Sequence, residues 1–306
     1  MTADQPTPYG TVIAGALPNR ARALADLLRS RRERLQPVDV GLPGGPRRRT
    51  RGLRREEVAQ LAAISTTYYT FLEQGRDVHP SRQVLDALAR ALRLSATERV
   101  HLHELAHGDD IPIATAAPET LSPSVAALVA RLDPYPTYVT GRCFDVLAAN
   151  RAARALWTDW AALPPAERNM LWWTFTDPAA RTTLVQWEAE ASALLARFRA
   201  AADRHLDEPE FATLIERLKA ASPEARAWWP HHDISALSSG TKKLHHPAIG
   251  DLDLQHIVLQ VADDPEQKLV TFTASDRDQK RIVDLIAVVK HNRGSPTPTT
   301  LPASQI

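Results

Sequence analysis

Apolar positions recur at helical spacing over the first third of the chain, and the breaks between them outline five short helices. Leu24, Leu27, Leu28 and Leu35 define the first, over 22–35, which Pro37 and the glycine- and proline-rich stretch 41–46 bring to an end. Two very short helices follow Leu53. Val58, Leu61 and Ala62 mark one, and Ile64, Tyr69 and Leu72 mark the other, with Ser65 as its N-cap and Gly75 as its stop. A fourth carries Leu85, Leu88, Ala89 and Leu92 after Ser81. A fifth carries Val100, Leu102, Leu105 and Ala106 after Ser95, where Glu98 completes a capping box. The pattern predicts a compact all-α, five-helix domain over 20–107, behind a flexible lead-in.

Periodicity lapses over 108–121, where Ala, Thr and Pro predict a linker. Beyond it the pattern is mixed. Residues 137–139 and 144–148 read as a strand pair turned at Gly141, and Asn150 caps a helix running to Trp157. Helical spacing then holds over 164–175, 179–205, 209–220 and 223–229. Alternating or β-branched runs over 242–246, 251–261 and 268–274 predict three more strands, before a last amphipathic helix over 278–289. Two strands, several helices and three strands suit an α+β domain over 122–290, with a five-stranded antiparallel sheet and its helices gathered on one side. The Pro-, Thr- and Ser-rich tail 291–306 is expected to be disordered.

Length and composition agree with two globular domains. The chain has 306 residues, 44% of them hydrophobic and 24% charged. No apolar run approaches the roughly 18 residues of a membrane span, and the N-terminus lacks the order of a secretory signal. The protein is therefore expected in the cytoplasm, without membrane contact. Cys143 is the single cysteine, which excludes an intramolecular disulfide framework and a cysteine-rich zinc site. The net charge of +1 conceals a polarity. Residues 1–107 hold 17 Lys and Arg against 11 Asp and Glu, a balance of +6, whereas 108–306 hold 20 against 25, a balance of −5. A basic front half is drawn to a polyanion. Its sharpest excess is Arg47, Arg48, Arg49, Arg51, Arg54 and Arg55, which by itself reads equally as a solvated loop.

Residues 54–74 have the layout of a helix-turn-helix, in which one helix crosses the DNA backbone and a second enters the major groove. Tyr69 and Leu72 fall on the inward side of the second helix, leaving Thr66, Thr67, Thr70 and Phe71 outward, with Tyr68 among them near its N-terminus. Threonine hydroxyls can bond base edges and their methyl groups can meet thymine methyls. Arg54, Arg55, Gln74 and Arg76, at the helix ends, suit phosphate contacts. The segment LRREEVAQLAAISTTYYTFLEQGRDVHPSRQVLDALARAL resembles the helix-turn-helix of XRE-family regulators in its MmyB-like form, over residues 22–107. Phe71 stands where that family usually has a polar or basic residue.

The resemblance continues through LSPSVAALVARLDPYPTYVTGRCFDVLAANRAARALW, LPPAERNMLWWTF, ASPEARAWWPHHDI and SGTKKLHHPAIGDLDL, which are similar to the MmyB-like, PAS-like ligand-binding domain. It implies a sensor of a small apolar, fatty-acid-like molecule. The residues themselves leave a pocket wall and core packing open. All seven tryptophans lie in this half, and Trp157, Trp172 and Trp187, with Phe175, suit either a pocket wall or a core. Arg168 and Asn169, in the ERN motif, are the first candidates to meet a ligand's carboxylate or carbonyl, followed by Arg142 and His232; a salt bridge or cap within the domain is the competing role.

Other chemistries fare worse. His103 and His107 have the i, i+4 spacing of a metal pair but no third ligand in the sequence pattern, so no metal is expected. No HExxH, phosphate loop, nucleophile elbow or CxxC occurs, so neither an enzyme nor a resident cofactor is expected. The expected protein is a nucleoid-associated, homodimeric regulator of transcription, a repressor, that binds an operator in double-stranded DNA and responds to an apolar effector. The alternative keeps the DNA-binding half and makes the rear domain a dimerisation or docking module without a ligand.

Overall fold

The computed structural model describes residues 16–43, 52–108, 119–206, 208–235 and 239–294. Most of the lead-in, of the arginine run, of the expected linker and of the tail lie outside them; residues 16–20 and 291–294, expected to be irregular, are helical. The chain divides into two compact units.

The first unit holds α1 (Ala16–Arg34), α2 (Arg55–Leu61), α3 (Thr66–Glu73), α4 (Arg82–Ala91) and α5 (Ala96–His107), with a 3-10 turn over Pro37–Val40 after α1. Leu53, Val58, Tyr69, Leu85, Leu88 and Leu102 are fully buried at its centre. The expected caps are all present. Ser65 Oγ accepts from the Tyr68 N–H at 3.1 Å and Ser81 Oγ from Val84 at 3.4 Å. Ser95 and Glu98 exchange bonds of 3.2 and 2.7 Å, the reciprocal capping box. Gly52 is needed where it stands: its φ is +69°, and a Cβ there would lie 2.3 Å from the Arg32 carbonyl oxygen.

Residues 199–214 and 230–235 also belong to this unit, which nothing in the apolar pattern announces. The chain returns to it within α10 (Trp187–Ala202) and leaves it within α11 (Pro209–Ala221). Polar contacts fasten both segments. Asp203 accepts from His101 Nε2 at 3.0 Å. Arg31 donates to the carbonyls of His231 and His232 at 3.3 and 2.6 Å and pairs with Glu98 at 2.7 Å. Arg34 pairs with Asp233 at 2.7 Å.

In the second unit β1 (Thr137–Thr140), β2 (Val146–Ala149), β3 (Gly240–His246), β4 (Gly250–Val261) and β5 (Asp264–Ala274) form one antiparallel sheet in the order β2-β1-β5-β4-β3. This is the α+β arrangement with a five-stranded antiparallel sheet that the sequence pattern implies. The register sets its two faces, because side chains alternate along a strand. Tyr138 pairs with Val270, and Phe272 with His256, on one face; Val139 and Leu269 are neighbours on the other. The second of these faces packs on Val129 of α6 (Pro123–Arg131). That helix corrects the expectation that the helices gather on one side, and it begins where the linker was expected to end.

Two expected helices are split. The 164–175 segment breaks at Asn169, whose extended backbone caps α8 (Met170–Thr176). The 179–205 segment breaks into α9 (Pro178–Thr183) and α10 because Leu184 leaves the helix to bridge Leu244 of β3. Likewise Phe144, at φ +66°, stays outside β2. The remaining helices are α7 (Arg151–Leu156), α12 (Pro223–Trp228) and α13 (Asp276–Gly294).

Candidate functional site

In the first unit, α2 and α3 are separated by four residues, among which Ala63 takes a left-handed φ of 54° and Ser65 restarts the helix. Tyr69 and Leu72 are buried, at 0% and 2% exposure, so the opposite side of α3 faces out. Thr66 and Thr67 are exposed in its first turn, where helix N–H groups and the positive end of the dipole favour an anionic neighbour. Tyr68 and Thr70 are half-buried, and the Thr70 hydroxyl donates to the Thr66 carbonyl at 2.7 Å. Phe71 is half-buried as well, because the Arg76 guanidinium lies 4.3 Å above its ring. Gln74 accepts from Arg76 Nε at 2.9 Å, so these three side chains form one surface group. Arg54, exposed, donates its backbone N–H to Glu57 at 2.7 Å. Arg55 is exposed too, with Nε 2.7 Å from Glu73.

Glu73 is a structural residue absent from the expected set. It is fully buried and receives Arg32 Nε at 3.1 Å and Nη2 at 2.5 Å in addition to Arg55. Arg32 also donates to the Leu53 carbonyl at 2.9 Å. Burial disfavours the Arg32 cation, but the hydrogen bond and attraction from Glu73 outweigh it, and its pKa is raised. One carboxylate thus ties α3 to both α1 and α2. Its sequence signal is an acidic residue beside Leu72 on the inward side of an amphipathic helix, with arginines on the neighbouring helices.

Among the aromatic groups of the second unit, one joins Phe198 to Phe144 at 5.8 Å and to Trp229 at 6.1 Å, and two others contain expected ligand residues. In one of these two, Tyr138 stands 5.9 Å from Trp157, 6.1 Å from Trp160 and 6.0 Å from Phe272, and Trp160 stands 6.4 Å from Trp173. In the other, Phe175 meets Trp187 at 6.0 Å and Trp228 at 5.9 Å. The expected ligand residues are distributed accordingly. Trp157 belongs to the first group; Phe175 and Trp187 belong to the second, where Trp187 Nε1 donates to the Thr174 carbonyl at 2.8 Å. Trp172 lies apart from both, 4.5 Å beneath the Arg217 guanidinium.

The polar candidates hold loops in place. Arg168 donates to the carbonyls of Leu163 and Ala161 at 2.9 and 3.3 Å. Asn169, 2% exposed, accepts from the Trp172 N–H at 3.0 Å and donates to the Cys143 carbonyl at 2.7 Å and to Asp145 at 3.0 Å. The Arg142 backbone N–H donates to Glu119. His232 belongs to the first unit, where burial, and after it the positive charge of Arg199, push its pKa down to about 4. The structure therefore does not gather these four around one aromatic group.

Arg197 is a cation that the sequence pattern did not single out. It lies seven residues after Glu190 on α10, hence on the same helical face, and Glu190 pairs with Lys242 of β3 at 2.5 Å. Among the described residues the Arg197 guanidinium makes no hydrogen bond or ion pair. Burial lowers its pKa, against attractions to Tyr138 and Glu190. Burial also raises the pKa of the Tyr138 phenol, against attraction to Arg197. The indole N–H groups of Trp160 and Trp173 are buried without an acceptor.

The comparisons with known proteins divide the chain into two consecutive parts, the second of which includes 199–214 and 230–235. Residues 23–102 match the model of a helix-turn-helix domain, and residues 121–285 match that of the MmyB-like transcription regulator ligand binding domain. No protein with curated annotation matches the chain. No helix among the described residues is long and apolar enough to cross a membrane. Because the second match alone spans more than half of the 306 residues and follows a helix-turn-helix, the chain belongs to the family of MmyB-like transcription regulators.

Proposed function

We propose that this regulator is a cytoplasmic, nucleoid-associated repressor that binds its operator as a homodimer, and that a small apolar, fatty-acid-like ligand in its second unit alters that binding. The DNA part rests on one observation above the rest: α3 is capped by Ser65 and presents Thr66 and Thr67 in an exposed first turn, opposite its buried Tyr69 and Leu72. Thr66 and Thr67 read base edges, with Tyr68, Thr70 and Phe71 at the margin. Arg54, Arg55, Gln74 and Arg76 contact phosphates.

The family match supports the ligand, and the aromatic group around Tyr138 supplies an interior of the right polarity. No cofactor takes part. A docking role without ligand draws support from Ile257 and Leu259, which are 46% and 53% exposed on one face of β4. Native and denaturing mass spectra of the full chain, followed by organic extraction, separate the two. Recovery of a stoichiometric apolar molecule is expected; a clean, ligand-free dimer would transfer the weight to docking.

A further inference from the structure

The way α3 ends places two side chains against each other. Gly75 takes a left-handed φ of +64°, and its N–H donates to the Leu72 carbonyl at 3.1 Å, while the N–H of Arg76 donates to the Phe71 carbonyl at 3.0 Å. These two bonds make a Schellman turn, which folds the second residue beyond the cap back over the last turn of the helix. The side chain returned in this way is often apolar. Here it is Arg76, whose guanidinium lies 4.3 Å from the centre of the Phe71 ring. The turn has little slack, because a Cβ on Gly75 would lie 3.2 Å from the Ala21 carbonyl oxygen of α1.

Three constraints therefore act on one arginine. The backbone bond fixes its Cα, the Phe71 ring attracts its guanidinium, and Gln74 Oε1 accepts from its Nε at 2.9 Å. Both Nη groups are left over: Arg76 is exposed, and among the described residues neither has a hydrogen-bond or ion-pair partner. Phe71 follows Thr67 by four residues and so shares its outward side of α3. The stack thus carries the cation onto the side of the helix that presents the exposed threonine.

We propose that Phe71 reads no base and is a positioning residue, which holds the Arg76 guanidinium so that its two free Nη groups clasp one phosphate of the DNA backbone. The phosphate offers two oxygens to a planar fork, a geometry that arginine suits and lysine does not. A phosphate fits the location better than a base, since base edges are met by the first turn of a recognition helix and Arg76 stands beyond the last. A side chain already ordered loses little further freedom on contact, so the ring strengthens binding with no DNA contact of its own. The inference rests on the reading of α3 as the groove helix and changes the part of Phe71 within it, from a contact at the margin to a support.

The test uses the full chain and two probes, a duplex library of random sequence and the pool that the wild type selects from it. Phe71→Leu removes the ring and keeps the arginine, so affinity for both probes should fall about two- to fivefold while the slope of log affinity against log salt stays as in wild type. Arg76→Ala should instead reduce that slope by about one. Phe71→Tyr, which keeps a ring beneath the guanidinium, should recover most of what leucine loses. In an Arg76→Ala background Phe71→Leu should cost nothing more, because the support has nothing left to hold. An equal cost with and without Arg76 would make the part of Phe71 merely structural, and a loss confined to the selected pool would make the pair a reader of bases. Either result overturns the assignment, as does full affinity in Phe71→Leu. A wild type that binds neither probe would remove the reading of α3 as the groove helix, and this inference with it.

Discussion

A side chain that acts on its own helix is legible in the sequence; one that acts through a distant partner is not. Ser65, Ser81, Ser95 with Glu98, and Asn150 announce themselves because a cap and the N–H it satisfies lie three residues apart. The two sides of α3 are equally plain, since the inward pair Tyr69 and Leu72 fixes Thr66 and Thr67 as outward. Glu73 escapes notice because the partners that give it meaning, Arg32 and Arg55, lie elsewhere in the chain. The outward face of α3 carries a paired prediction. Thr67→Ala should relax sequence preference, costing roughly 1–3 kcal/mol on the cognate site and little on random duplex. Arg76→Ala should weaken binding to all duplexes and reduce the slope of log affinity against log salt by about one unit. Competition binding at several salt concentrations reads both, and the reverse pattern would move the groove contacts away from Thr67.

At the scale of elements, the order of strands and helices follows from periodicity, but the breaks within helices do not. Residues 179–205 keep helical spacing throughout, and only the bridge from Leu184 to Leu244 shows why the helix must stop and restart. Asn169 acts similarly, leaving the helix to bond Cys143 and Asp145. Both breaks depend on the sheet, which a local pattern cannot contain. The docking of α3 has the same character. Its C-terminal end is held by Glu73, a fully buried carboxylate bonded to Arg32 and Arg55. Removing one partner of a buried pair strands the other, at a cost of about 3–5 kcal/mol. Glu73→Gln should therefore lower the unfolding free energy by about 3 kcal/mol, since the amide keeps an acceptor but loses the charge. Arg55→Ala should cost under about 1 kcal/mol, because the arginine side chain is 45% exposed and its attraction is screened by water. Denaturant melts of the full chain measure both. Equal losses would mean that Glu73 is held by Arg55 rather than by Arg32.

For the whole molecule, the assignment of residues 199–214 and 230–235 to the DNA-binding unit matters most, because a boundary drawn from composition places them in the rear half. A chain ending at Ile113 keeps all five helices yet loses Asp203, the partner of His101, and the carbonyls of His231 and His232 that accept from Arg31. Water replaces part of what is lost, so the helical unit should be destabilised by about 1–3 kcal/mol rather than by the full cost of a stranded buried ion. The pH profile identifies the cause. Burial disfavours charged His101, but its bonds to Asp203 and Glu104 outweigh that, so its folded pKa is raised. Its contribution is then fully present below the ordinary histidine value of about 6.5 and is lost as pH rises through the higher folded value. His232 acts in the opposite sense. Burial, with Arg199 and Arg31 against Asp26 and Asp203, holds its pKa down to about 4, so its contribution is present above about pH 6.5 and declines as pH falls from there toward 4. Stability of the full chain should peak near neutrality, with the alkaline decline weakened in Asp203→Asn, where Glu104 alone remains beside His101, and with the acid decline of His232 lost in the chain ending at Ile113. Thermal melts from pH 5 to pH 9 decide it: an unchanged alkaline decline in Asp203→Asn would show that the His101 contact contributes nothing to the folding of the DNA-binding unit.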